Sequence, residues 1–135
     1  MSNARLELGR EIRREVLGVE YVEKADSNLD DFILPFREYV AEFVWGAVWA
    51  RPGLDRRTRL LLNIAMLTAL GRPEELKLYF EGIARAPDLG VSKEDVREVL
   101  MHTAPYCGIP ATLGAFNLAR EVLGGEHSTR GPNEA

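Results

Sequence analysis

The sequence holds one cysteine, Cys107, and two histidines, His102 and His127. A single thiol excludes an intramolecular disulfide, a Cys-x-x-Cys redox pair and a cysteine-built zinc cluster. A metal centre would have to be assembled from carboxylates around His102 alone, and none is expected. His127 falls in a polar stretch of Gly, Ser and Asn and carries no structural expectation. Long apolar runs are also missing. The longest, Leu60–Leu67, is interrupted by Asn63 and flanked by charge, far short of the roughly 20 residues that span a bilayer. The opening residues Met1–Glu7 show no apolar signal core, so no membrane partner and a cytoplasmic location are expected. Basic excess is absent as well. The net charge is −4 and no Lys/Arg cluster stands out, so nucleic acid is not an expected partner. There is no β-alternation, no internal repeat and no interdomain linker.

What is present is ordinary globular composition, nearly half apolar and about a quarter charged, in 135 residues. That length favours one domain over 1–135, with an ordered core over about 5–124 and a frayed tail beyond. The periodicity is helical almost throughout, predicting an all-α domain of about six to seven helices. Residues 4–17 are loosely amphipathic, which suggests a peripheral helix closed by Gly18. A short helix or turn follows over 20–26. Residues 32–50 predict a strong helix whose regular part begins at Pro35. Within it Phe36, Tyr39, Val40, Phe43, Val44 and Val48 recur at amphipathic steps, with Trp45 and Trp49 on a neighbouring stripe. Arg51-Pro52-Gly53 breaks it.

Asp55 is placed to cap a helix over 56–70. Apolar residues surround that helix nearly completely, which suggests packing against a second subunit as well as its own core. Gly71 ends it, and Pro73 suits the first turn of a helix to about 86. Pro87–Gly90 predicts a loop. Ser92-x-x-Asp95 resembles a capping box opening a helix from 93, with Val96, Val99, Leu100 and Thr103 on its core face and Pro105 interrupting it. Pro110 opens a last helix to about 123. Lys77 and Glu74 are spaced as an exposed i,i+3 pair.

Three stretches carry a resemblance when taken in order. They are Trp45-Gly46-Ala47-Val48-Trp49-Ala50-Arg51-Pro52-Gly53-Leu54 with Arg57-Thr58-Arg59; Ala65-Met66-Leu67 through Gly71-Arg72-Pro73-Glu74-Glu75-Leu76-Lys77-Leu78; and Glu98-Val99-Leu100 through Tyr106-Cys107-Gly108-Ile109-Pro110-Ala111. With the opening Gly9–Gly18, this order resembles the carboxymuconolactone decarboxylases over about residues 5–123. The resemblance implies an all-helical fold shared with the alkylhydroperoxidase D proteins, and a homo-oligomer, trimer or hexamer. It implies conversion of γ-carboxymuconolactone to β-ketoadipate enol-lactone and carbon dioxide, with no organic cofactor and no metal. The peroxidase branch needs Cys-x-x-Cys-x-x-x-His where this chain has Arg72, Glu75 and Tyr79, which excludes thiol peroxidase chemistry. In the decarboxylases an acid follows Trp-Gly and a His stands at the position of Tyr79. Here those positions read Ala47 and Tyr79, and Ala47 cannot transfer a proton.

Against that background, Glu98, His102 and Tyr106 recur every four residues. They are read either as an acid/base histidine oriented by Glu98 or as a surface histidine with an i,i+4 neighbour. Pro105 either opens a pocket beside Tyr106 and Cys107 or accommodates packing. Cys107 is directed toward the core as an inert small hydrophobe or a reactive thiol. Arg51, Arg57 and Arg59, with Arg72 a further candidate, are placed to clamp a carboxylate, or are solvated helix-end cations. Trp45, Trp49 and Tyr79 wall a small pocket or anchor a subunit interface. The expected function is decarboxylation, or a related proton transfer, of a small carboxylated lactone or cyclic acid. His102 or Tyr79 is the expected proton donor, and Arg51 or Arg59 the orienting group. The alternative is a diverged relative that binds a small ligand without that chemistry.

Overall fold

The computed structural model describes residues 3–124; the expected tail and His127 lie outside them. Every regular element among the described residues is helical: α1 Ala4–Leu17, α2 Val19–Asp26, α3 Leu34–Tyr39 continued by a π-helical segment Val40–Trp49, α4 Arg56–Leu70, α5 Pro73–Arg85, α6 Lys93–Cys107 and α7 Ile109–Leu123. A 3₁₀ turn, Pro87–Leu89, occupies the expected loop. None of these helices is long and apolar enough to cross a membrane. The chain divides into two compact units, residues 1–59 and 60–135, with the boundary inside α4.

In the first unit, Asn3 caps α1 by accepting from the Leu6 N–H at 3.1 Å. The helix buries Gly9, Ile12, Val16 and Leu17. It is not the peripheral helix its loose amphipathicity suggests, because it lies directly against the π segment. Two glycines permit the approach. A Cβ on Gly9 would overlap the Ala41 carbonyl, and one on Gly46 would overlap the Arg5 carbonyl. With no side chain at the crossing, the backbones close to a distance that any larger residue would prevent.

The π segment also changes which stripe is buried. An i→i+5 ladder rotates successive residues less per step than an α-helix does. The buried set becomes Ala41, Trp45, Gly46 and Trp49, while Phe36, Tyr39, Phe43, Val44 and Val48 stay exposed. The stripe that three- and four-residue spacing selects is therefore the outer one. Ion pairs of Arg13 with Asp26 (2.9 Å) and of Arg56 with Glu15 tie α1 to the end of α2 and to the start of α4.

In the second unit α4 buries one stripe, Leu60, Ile64 and Thr68. Leu62, Met66 and Leu70, four residues apart, remain exposed, so the helix is not buried on all sides within one chain. α5 and α6 both pack on α7. The core here is Leu76, Phe80 and Ile83 with Val96, Leu100, Ala115 and Ala119. Ser92 and Asp95 form the full capping box, their reciprocal bonds both 2.9 Å. Val99 is only half-buried. Pro105 does not interrupt α6, which continues to Cys107. A proline lacks an N–H and crowds the preceding turn, but the Gly108 N–H bonds the Ala104 carbonyl at 3.1 Å and completes the last turn. Gly108, at φ 95°, then reverses the chain into α7. Lys77 pairs at 3.8 Å with Glu121 of α7 and not with Glu74.

Candidate active site

Three pairs of the expected site residues are brought together. On the π segment Trp45 and Trp49 stack at 4.8 Å between ring centroids and are 4% and 6% exposed. A pair this buried acts first as core and offers little face to a ligand. Just beyond it, the Arg59 Nη2 donates to the Arg51 carbonyl at 3.1 Å. This bond fixes the first turn of α4 against the Arg51-Pro52-Gly53 break. The Arg59 Nε is buried and has no hydrogen-bond partner. Arg51 is exposed, and neither arginine enters an ion pair among the described residues. A buried, unsatisfied N–H costs about 1–3 kcal/mol. The planar guanidinium fork matches a carboxylate in two-point geometry. Arg59 therefore stands as a fixed cation with a donor to spare, a feature that residue type alone did not distinguish from a solvated arginine.

The third pair lies on α6. His102 and Tyr106 are one turn apart with ring centroids 5.5 Å apart. Both are exposed, Tyr106 by 79%. Continuity of α6 through Pro105 is what keeps them on one face. Glu98 shares that face but contacts Arg97 at 3.7 Å. No hydrogen bond joins it to His102 among the described residues, so orientation of the imidazole by Glu98 is not part of this geometry. Cys107 is a free thiol, half-buried at the end of α6 and not deep in the core. Arg72 is exposed at the N-cap of α5, and Tyr79 is half-buried two turns further along that helix. Ala47, where an acid was expected, is half-buried on the π segment.

The perturbed carboxyl is a structural one. Asp55 is held below its ordinary value of 3.8, first by hydrogen bonds from the Thr58 side chain and backbone, then by the Arg57 charge. The Thr58 N–H donates to Asp55 Oδ1 at 2.8 Å, the N-cap arrangement expected for α4. Among the described residues no three His, Cys, Asp or Glu side chains gather as a metal site. A cavity of about 510 Å³ opens between the start of α6 and the end of α7. None of the residues proposed from the sequence for catalysis or substrate binding lines it.

The helix order, caps and paired residues can be set beside known proteins. The sequence model of the carboxymuconolactone decarboxylase family matches residues 35–121. The chain is 42% identical over 119 residues to the 4-carboxymuconolactone decarboxylase of Acinetobacter baylyi, covering 88% of this chain and 87% of that one. It is 38% identical over 115 residues to the nitrosuccinic acid decarboxylase of Metarhizium robertsii, covering 85% and 78%. An uncharacterized 15.0 kDa protein of Paracoccus denitrificans shares 32% identity over 85 residues, 63% of each chain. The matched segment runs from the first turn of α3 into α7 and takes in each of the three residue pairs. On this agreement of sequence and fold, the chain belongs to the carboxymuconolactone decarboxylase family.

Proposed function

We propose that this protein is a carboxy-lyase that removes carbon dioxide from a small carboxylated lactone or cyclic acid, in the cytoplasm and without an organic cofactor or metal. The observation that carries the reading is identity of 42% and 38%, over more than four-fifths of this chain, with two proteins that are both decarboxylases. Their substrates differ in skeleton. Both present a carboxylate together with a group able to accept electrons, a lactone in one and a nitro group in the other. In such a reaction the bond between carbon and carboxylate breaks and carbon dioxide leaves. The electron pair passes to the acceptor already on the substrate, and a proton is delivered to carbon. The enzyme's share is to orient the carboxylate, exclude water and supply the proton.

Arg59, with Arg51 beside it, is the orienting cation in this reading. The support is the buried Nε that has no protein acceptor. His102 is the leading proton donor, because it is exposed and ring-paired with Tyr106. Tyr79 is the second candidate, since its phenolic O–H is a proton donor on α5. Arg72, Tyr106 and Cys107 are the further proposed substrate contacts, with Trp45 and Trp49 supporting the site as buried core. The protein works as a homo-oligomer, a trimer or hexamer, a reading supported by the exposed Leu62, Met66 and Leu70 stripe of α4.

The test is incubation of the purified chain with γ-carboxymuconolactone and, in parallel, nitrosuccinate, following carbon dioxide release and substrate absorbance. Turnover of γ-carboxymuconolactone is expected; turnover of nitrosuccinate alone would keep the decarboxylase and overturn the cyclic substrate class. His102→Ala or Tyr79→Phe should lower kcat by ~100-fold or more, the scale of a lost general acid. Full turnover in both variants would overturn the donor assignment. No turnover of either substrate by intact protein would overturn the decarboxylase reading.

A further inference from the structure

The chemistry along α6 divides into two ends. His102 and Tyr106 occupy its last two turns. Its first two turns, with the facing end of α7, enclose the separate cavity of about 510 Å³, within the ~300–1,000 Å³ range of small-molecule sites. Its floor is apolar: Val96 and Leu100 from α6, and Phe116, Ala119 and Leu123 from α7. Val96 and Leu100 underlie it, essentially sealed from solvent, so the half-buried Phe116 and Leu123 present most of its accessible apolar surface. Its rim carries Lys93, Arg97 and Arg120 against one acid, Glu94.

The cations are not consumed by other parts of the fold. Lys93 and Arg120 enter no ion pair among the described residues. Arg97 reaches only Glu98, through Nε at 3.7 Å between two mostly exposed side chains, a contact of little strength. Helix electrostatics accounts for Arg120, which lies in the last turn of α7 where a cation is favoured. It does not account for Lys93 and Arg97. These stand in the first two turns of α6, where the backbone N–H groups already concentrate positive charge.

We propose that this cavity binds an amphiphilic carboxylate, an aryl or alkyl chain ending in a single anionic head. The tail would cover the apolar floor, and the head would meet Arg97, Arg120 and Lys93. A small polar di-acid has no use for the apolar floor that Phe116 and Leu123 present. A neutral hydrophobe has no use for three cations around the mouth. The combination selects a ligand that is both. The site shares no residue with the decarboxylation machinery proposed above, so each reading can fail without the other.

The experiment titrates the full chain with 4-phenylbutyrate and, as the uncharged control, 4-phenylbutanamide. Binding is followed by calorimetry and by the thermal midpoint, which a ligand of the folded state raises with concentration. Saturable binding of the carboxylate is expected, with the amide at least tenfold weaker. Arg97→Glu combined with Arg120→Glu should weaken the carboxylate at least tenfold. Ala119→Trp, which fills the floor, should abolish binding while helical circular dichroism is kept. Should the tryptophan variant not fold, the surface charge pair decides alone. Equal binding of acid and amide, or unchanged affinity in the double-charge variant, would overturn the proposal. So would competitive inhibition of decarboxylation by 4-phenylbutyrate at the same affinity, because the carboxylate would then be at the reaction site. A changed oligomeric mass in the double-charge variant with no change in affinity would assign the surface to a second copy of the chain, which also overturns it.

Discussion

Two buried hydroxyls show how much a single proton decides. Thr103 on α6 donates to the Leu100 carbonyl at 2.7 Å, and its oxygen lies 2.9 Å from that of Thr112 on α7. A hydroxyl has one proton. Thr103 has spent its own on the carbonyl, so Thr112 must donate to Thr103. The two valine variants are then unequal. Thr112→Val removes a donor and leaves Thr103 still bonded to Leu100, at about 1 kcal/mol. Thr103→Val strands a buried O–H on Thr112 and should cost ~1–3 kcal/mol. The double variant should cost less than the sum of the two, which chemical denaturation in a double-mutant cycle will show. Equal single costs and strict additivity would mean the hydroxyls do not interact. Neither the contact nor its direction was legible in the sequence, which offers Thr103 only as a core-face position. The same limit applies at the candidate site. The identities of His102 and Arg59 could be read in advance. The missing link from Glu98 to His102 and the orphaned Nε of Arg59 depend on rotamers and burial, which spacing does not encode.

Elements were legible where their chemistry is local. Caps are settled within four residues, so Asp55 and the Ser92–Asp95 box fell where the sequence put them. The π segment was not legible. An i→i+5 ladder has no residue signature of its own, and a stretch as apolar as Val40–Trp49 satisfies several periods equally. What selects the buried stripe is the glycine contact with α1, between residues far apart in the chain. The cap of α4 offers a titration test. Asp55 is held below 3.8 in the folded protein. A carboxyl with a depressed folded-state pKa adds stability that is fully present above its unfolded value, and this is lost as the pH falls through the folded one. Asp55→Ala should therefore lower the thermal midpoint at neutral pH, and the gap to wild type should close as the pH drops below 3.8. Asp55→Asn keeps an acceptor for the Thr58 N–H but cannot ionise. Its midpoint should lie nearer wild type at pH 7 and lack that acid-side convergence. A gap to Asp55→Ala that is constant down to pH 2 would show that the charge contributes nothing.

At the scale of the whole molecule the surface is the unsolved part of one chain's physics. Apolar residues surround α4 nearly completely, which predicts a second subunit against the faces its own core leaves open, and a single chain buries only one stripe of it. On the other, Met66 is 51% and Leu70 66% exposed, with Leu62 in line. In the first unit Phe36, Tyr39 and Val48 are exposed as well. Monomers rarely leave contiguous apolar area of more than a few hundred Å² in water, and closed symmetric oligomers are the common way of covering it. On the proposed trimer or hexamer, light scattering of the wild-type chain at micromolar concentration should give a mass near three or six times 15.1 kDa. Met66→Glu with Leu70→Glu places two charges on the stripe. If the stripe is covered by a neighbour, the variant should fall to the mass of one chain, since desolvating an unpaired carboxylate at an interface is prohibitive. Within one chain both positions are on the surface, where substitution costs only about ±0.5 kcal/mol, so helical circular dichroism should persist. The thermal midpoint of the wild type should rise with protein concentration and that of the variant should not, because only association couples stability to concentration. A wild-type mass of one chain would remove the oligomer. A multimeric variant would keep the oligomer and move its interface away from α4.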